Sequence, residues 1–179
     1  FVDKFYKDKT ARNTDADLAP NEFVIFKARE DQKKSAMGRV SPADTSVIKM
    51  LSPESSPWGI RPLNKEQRCA MDLLLDENVK LVTMIGMAGT GKTLMSLACG
   101  LQKAVEESVY RRLIICRPIV PVGKDIGFIP GTKEEKLSTW MGAIYDNLEF
   151  IMDKRHQDDA MQKFEYLLQN GKIEIASVT

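Results

Sequence analysis

One histidine and three cysteines among 179 residues leave little with which to build a metal centre. Cys69, Cys99 and Cys116 show no metal-ligand spacing, and each lies in an apolar or helix-patterned stretch. They read as reduced core thiols of a cytoplasmic protein, with an oxidised bridge as the alternative. His156, among charged and polar neighbours, reads as a solvated surface residue. An excess of one charge is lacking too: 26 Lys and Arg stand against 25 Asp and Glu, a net +1, so no global basic field calls for nucleic acid. Neither a leader peptide nor an apolar run of membrane-spanning length is present, which excludes a helical membrane anchor within this sequence. An initiator methionine is missing as well. The chain opens on Phe1 and closes in the strand-like run from Ile173 to Thr179, so we expect an internal piece of a longer protein.

Hydrophobic residues make up 43% of the 20.2 kDa chain, enough for one medium domain or one domain with a small appendage. Residues 1–60 differ from the rest: short β-like runs at 22–27 and 45–50 are separated by charged and Ser/Pro-rich pieces. They are expected to form a small β-rich extension; the charge density of 27–34 fits a disordered linker as the alternative. From residue 61 the pattern turns α/β. A helix is expected over 65–77, a strand at 81–85, a helix through Leu94, Leu97, Ala98, Leu101 and Val105, and a buried strand at 113–116. A Pro- and Gly-rich loop runs from Arg117 to Thr132. An amphipathic helix through Leu137, Trp140, Met141, Ile144, Tyr145, Leu148 and Ile151, a second near 159–169 and a final strand complete the pattern. Strand-helix-strand crossovers imply a parallel sheet covered by helices.

Gly86-Met87-Ala88-Gly89-Thr90-Gly91-Lys92-Thr93 fits the phosphate-loop pattern G-x-x-x-x-G-K-[ST] at every fixed position. An apolar, strand-like run leads in and a helix-patterned stretch leads out, which is the context the pattern requires. With glycine near ~7% of residues, a chance match in a chain this long arises on the order of one per cent of the time or less. The spacing has a chemical purpose. Gly86 and Gly91 let the backbone curl so that successive N–H groups face phosphate oxygens, and Gly89 leaves room for close approach. The following helix then presents its unpaired donors to the same anion. Lys92 is expected to reach the β- and γ-phosphates, and the Thr93 hydroxyl to ligate Mg²⁺.

Hydrolysis needs more. An acid at the end of an apolar strand should hold the metal shell. Leu73-Leu74-Leu75-Asp76-Glu77 and Phe150-Ile151-Met152-Asp153 imitate that signature, yet their periodicity marks helix ends. The two strands expected after the loop end in Arg117 and Thr179, without an acid, so this stretch alone is expected to turn nucleotide over poorly or not at all. Asn64-Lys65-Glu66-Gln67 is no guanine reader, because Gln67 stands where N-K-x-D needs aspartate. A small-molecule phosphotransferase shares the same loop, but no lid or acceptor site is evident.

The stretch from Arg117 to Lys136, with Trp140-Met141 and Tyr145-Asp146-Asn147-Leu148, resembles the signature of the PhoH-like ATPases, and the phosphate loop is similar to theirs. The likeness covers residues 58–179. Pro20-Asn21-Glu22-Phe23-Val24-Ile25 and Trp58-Gly59-Ile60 resemble the longer members, in which a PIN-type ribonuclease domain comes first. The resemblance implies a RecA-like parallel sheet flanked by helices, incomplete at the C-terminus, ATP and Mg²⁺ as cofactors, and a parent protein that unwinds or processes RNA, as a homo-oligomer. It also assigns Gln67 as an adenine reader; a plain surface glutamine is the alternative. It puts the loop after Arg117 against nucleic acid or a neighbouring subunit. Segment 111–136 carries six Lys or Arg against three acids, a modest basic excess that fits phosphate contacts and a solvated surface equally. The competing reading is a nucleotide-dependent assembly or binding module that does not remodel nucleic acid.

Overall fold

The computed structural model describes residues 1–14, 17–31, 33–51, 55–118, 133–153 and 160–178. The chain divides into two compact units, Phe1–Ser55 and Ser56–Thr179.

The first unit begins with α1 (Val2–Asp8), which stops where Lys9 turns left-handed at φ 59° and donates its N–H to the Phe5 carbonyl. Four strands follow: β1 (Thr10–Arg12), β2 (Phe23–Lys27), β3 (Ser35–Val40) and β4 (Val47–Met50). They form an antiparallel sheet in the order β1-β4-β3-β2. Side chains alternate between its faces. Ala11, Val24, Phe26, Ala36, Val40, Ile48 and Met50 share one face and close over Val2 and Phe5 of α1. β2 and β4 fall on the two runs expected from sequence. Between β2 and β3, Ala28 donates its N–H to the Lys34 carbonyl and Lys34 its N–H to the Asp31 carbonyl. β3 escaped sequence reading because Gly38 interrupts its pattern. The glycine serves packing: a Cβ there would stand 2.5 Å from Ile48 Cγ2 and 3.0 Å from Phe5 Cζ.

The second unit holds α2 (Lys65–Leu75), α3 (Lys92–Leu101), β5 (Leu113–Pro118), α4 (Lys133–Asp153), α5 (Ala160–Gln169) and β6 (Ile173–Val178). α3 runs on into a π-helical turn over Gln102–Glu106. β5 and β6 pair in parallel, from Leu113 opposite Ile173 to Pro118 opposite Val178. One core gathers Trp58, Met71, Leu97, Leu101, Ile144, Leu148, Ile151, Phe164 and Ile173. Each such side chain stabilises the unit by roughly 1.5–3 kcal/mol on burial. Ile144, Leu148 and Ile151 lie at helical spacing on α4, so the expected apolar stripe is core packing there. Of the loop expected over 117–132, Arg117 and Pro118 belong to β5, and the remainder, like His156, lies outside the described residues.

Two expectations need correction. The run 81–85 forms no ladder with any strand among the described residues. A strand exists only where a neighbour takes up its backbone groups, and β5 has β6 alone. Leu81 and Ile85 are therefore 84% and 95% exposed, while Met84 packs against the core. β5 is also not buried on both faces: Ile114 and Cys116 are exposed, so Cys116 is not a core thiol. The chain is α/β with an antiparallel sheet and a parallel pair; two parallel strands are too few to display a RecA-like sheet.

Candidate phosphate-binding site

Two helix N-termini frame the loop. α2 starts at Asn64, whose side-chain oxygen accepts the Gln67 N–H at 2.8 Å. Gln67 reaches back in turn: its side-chain oxygen accepts the Leu63 N–H at 2.7 Å. This resembles the S/T-x-x-E/Q capping box, with asparagine in the first place and the back-bond taken from the residue before the cap. The four residues that fail as a guanine reader thus make a helix start. The N-x-x-Q spacing was the signal for it in the sequence.

The other end of the Gln67 amide crosses to the loop. Its nitrogen donates to the Thr90 carbonyl at 3.2 Å. Gly89 and Gly91 sit at φ +78° and +83°, a left-handed geometry that a side chain disfavours. Gly91 is the N-cap of α3, and no side chain caps that helix. Its first N–H groups are those that an α-helix leaves without internal partners.

Lys92 points back into the bend. Its ammonium donates to the carbonyls of Gly86 at 2.9 Å and Met87 at 2.7 Å, and to the Thr90 hydroxyl at 3.2 Å. Thr90 in turn donates its hydroxyl proton to the Met87 carbonyl at 2.9 Å. Lys92 therefore holds the loop as a cation inside a ring of oxygens. Gly86, Met87, Ala88, Gly89 and Thr90 are exposed, as is Thr93, while Gly91, Lys92 and Gln67 are half-buried. All nine residues assigned to the site from sequence lie on this one bend and the two helix starts beside it. The roles of Thr90 as a hub and of Asn64 as a cap were not foreseen.

The π-helical turn that continues α3 carries an unforeseen cation. Lys103 is buried and donates to Glu107 at 2.7 Å and Glu77 at 3.2 Å. Burial pushes its pKa down, but the hydrogen bonds and charges of Glu107 and Glu77 outweigh that and raise it. The Lys103 hydrogen bond holds Glu107 below the usual carboxylate range. Burial pushes the Cys99 thiol on α3 up to about 12. Among the described residues, no group of His, Cys, Asp and Glu is arranged to hold a metal ion. Asp76 ends α2 and accepts from the backbone N–H of Asn78, and Asp153 is the last residue of α4. Neither belongs to a strand.

The profile of the family described as PhoH-like protein matches residues 59–179, loop included. The chain belongs to the PhoH-like family. It is 47% identical over 136 residues to Protein PhoH2 of Bacillus subtilis, covering 76% of this chain and 31% of that protein. Against Protein PhoH2 of Mycolicibacterium smegmatis it is 34% identical over 145 residues, covering 80% and 31%. A PhoH-like protein of Mycobacterium tuberculosis is 34% identical over 139 residues, covering 78% and 36%. An alignment of 145 residues is longer than the second unit, so the likeness to that relative reaches into the first. The chain spans about a third of the length of these relatives. No solved structure matches it. As a PhoH-like protein it carries the P-loop NTPase domain of nucleotide-binding chains. No helix among the described residues is long and apolar enough to cross a membrane.

Proposed function

We propose that this PhoH-like chain binds ATP with Mg²⁺ at the Gly86–Thr93 bend, and that the longer protein couples ATP hydrolysis to unwinding or processing of RNA. The observation that carries the proposal is the Lys92 ammonium held within the bend by Gly86, Met87 and Thr90. A triphosphate offers the same cation stronger, charged acceptors than neutral carbonyls do. Loop and helix-start donors from Ala88 to Gly91 would cradle the phosphates, and Thr93 would supply one oxygen to Mg²⁺. Glycines at positive φ and an N-cap without a side chain leave room for that anion. The bound metal would draw charge off the phosphate oxygens; its acidic ligand is expected in the parent protein beyond these residues. Gln67 still has one amide hydrogen and one lone pair beyond its two backbone contacts, enough to read an adenine edge. Three unpaired cysteines fit a reducing, cytoplasmic compartment.

ATPase rate of the full-length protein with and without RNA tests the reading. RNA-stimulated turnover supports it, and turnover indifferent to RNA overturns its RNA half. The second reading, nucleotide-dependent assembly, is favoured by one observation: Leu81, Ile85 and Met87 expose apolar surface at the entry to the loop. Oligomer size that follows ATP, with no response to RNA, would select it.

A further inference from the structure

The four strands of the first unit contain no acid, and all four of their charged residues point to one side. Register fixes the arrangement. Thr10 lies opposite Lys49, Lys49 opposite Arg39, and Arg39 opposite Phe23, so these four form one row across the sheet. Arg12 and Val47 flank the row on one side, Met37 and Ile25 on the other, with Lys27 beyond them at the end of β2. All share the face away from α1, because their alternate neighbours Ala11, Ile48, Val40, Val24 and Phe26 fill the core. Arg12, Lys49, Lys27 and Ile25 are exposed; Arg39 and Phe23 are half-buried, and Met37 is buried. Arg39 is already engaged within the chain, which leaves Arg12, Lys49 and Lys27 as the exposed cations of this face. Asp44, in the turn before β4, is tied to the Ser46 N–H at 2.9 Å and hydroxyl at 2.7 Å, and the charge of Arg12 adds a smaller attraction to it.

We propose that this outward face binds single-stranded RNA, with Arg12 and Lys49 on phosphates and Phe23 under a base. A sheet whose charges are all of one sign within an otherwise balanced chain is complementary to a polyanion. Phe23 in the row and the exposed Ile25 beside it decide between single strand and duplex. Unstacked bases lie on such side chains, whereas a duplex hides its bases and offers backbone alone. The choice of RNA over DNA rests on the proposed function of the parent protein.

The test is fluorescence anisotropy of a labelled oligouridine with the 179-residue chain, titrated across salt concentrations. Arg12→Ala with Lys49→Ala should keep the native circular dichroism, since both side chains are exposed. It should lower the slope of log affinity against log salt by about 1.4 and weaken binding about tenfold or more near 0.1 M salt. Phe23→Leu, which keeps the packing but not the aromatic face, should weaken binding without changing that slope. Unchanged affinity and slope in the double variant overturn the proposal. So does equal competition by polyglutamate, which would point to an acidic protein, or tighter binding of the matching deoxyoligonucleotide. ATP titration of the same chain is a separate readout. Loss of RNA binding with ATP binding intact assigns the face, and RNA-stimulated turnover that survives the same double variant in the full-length protein refutes this face while leaving the ATPase reading standing.

Discussion

Gln67 and Thr90 are joined by a single hydrogen bond of 3.2 Å, from the side-chain amide to the loop carbonyl. Through it the first turn of α2 touches the bend that α3 grows from. In Gln67→Ala both the Thr90 contact and the back-bond from Leu63 are lost. We predict a helix start weakened by about 1 kcal/mol and a smaller preference for ATP over GTP. Melting temperature reads the first, and competition between the two nucleotides the second. An unaltered nucleotide ratio removes Gln67 from the site.

Lys92→Ala empties the ring formed by Gly86, Met87 and Thr90 of its cation. In the full-length protein ATP turnover should fall to background, and ATP affinity should drop by at least about tenfold, one charge-assisted hydrogen bond being worth roughly 1.5–3 kcal/mol. Isothermal titration and a phosphate-release assay check both. Wild-type affinity and rate in this variant would falsify the assignment of the bend.

Gly38 and Gly100 predict unequal responses to the same change. At Gly38 a new Cβ meets the stiff, β-branched Ile48 at 2.5 Å and the Lys49 backbone oxygen at 3.1 Å, so Gly38→Ala should cost about 1–3 kcal/mol. At Gly100 the obstacle is Leu113 Cδ1 at 2.7 Å, the end of a rotatable side chain. Helix propensity returns nearly 1 kcal/mol there, so Gly100→Ala should stay within about 1 kcal/mol of the parent. Denaturant midpoints decide.

Lys103 with Glu107 and Glu77 predicts a pH window. Glu107 is held below the usual 4.5, so its contribution is present above 4.5 and lost as pH falls through the lowered value. Lys103 is raised above 10.5, so its contribution is present below 10.5 and lost as pH rises through the raised value. Lys103→Met should therefore cost about 1 kcal/mol on a plateau between these limits, the partly exposed carboxylates being free to rehydrate. The difference from the parent should shrink at both ends. A difference that does not vary from pH 3 to neutrality would contradict the pairing with Glu107.

The bend at 86–93 was expected residue by residue because the phosphate-loop pattern fixes residue types at fixed spacings. α2, α4 and α5 were legible from apolar spacing, their ends falling within a few residues of expectation. β1 and β3 were not, since three residues, and six with a central glycine, carry no usable period. The stretch 81–85 had the composition of a strand and has no partner among the described residues. Composition marks what a segment can do; pairing needs a neighbour that composition does not name.

What this chain's residues settled unaided is local: a curl of glycines before a lysine, helix starts, and apolar stripes, all governed by interactions within a few positions. Tertiary structure decided the rest. It brought Gln67 across 23 positions to Thr90 and Lys103 across 26 to Glu77, and it turned every strand cation of the first unit to one side. Those outcomes depend on register and packing between distant segments, where a shift of one residue would reverse each face.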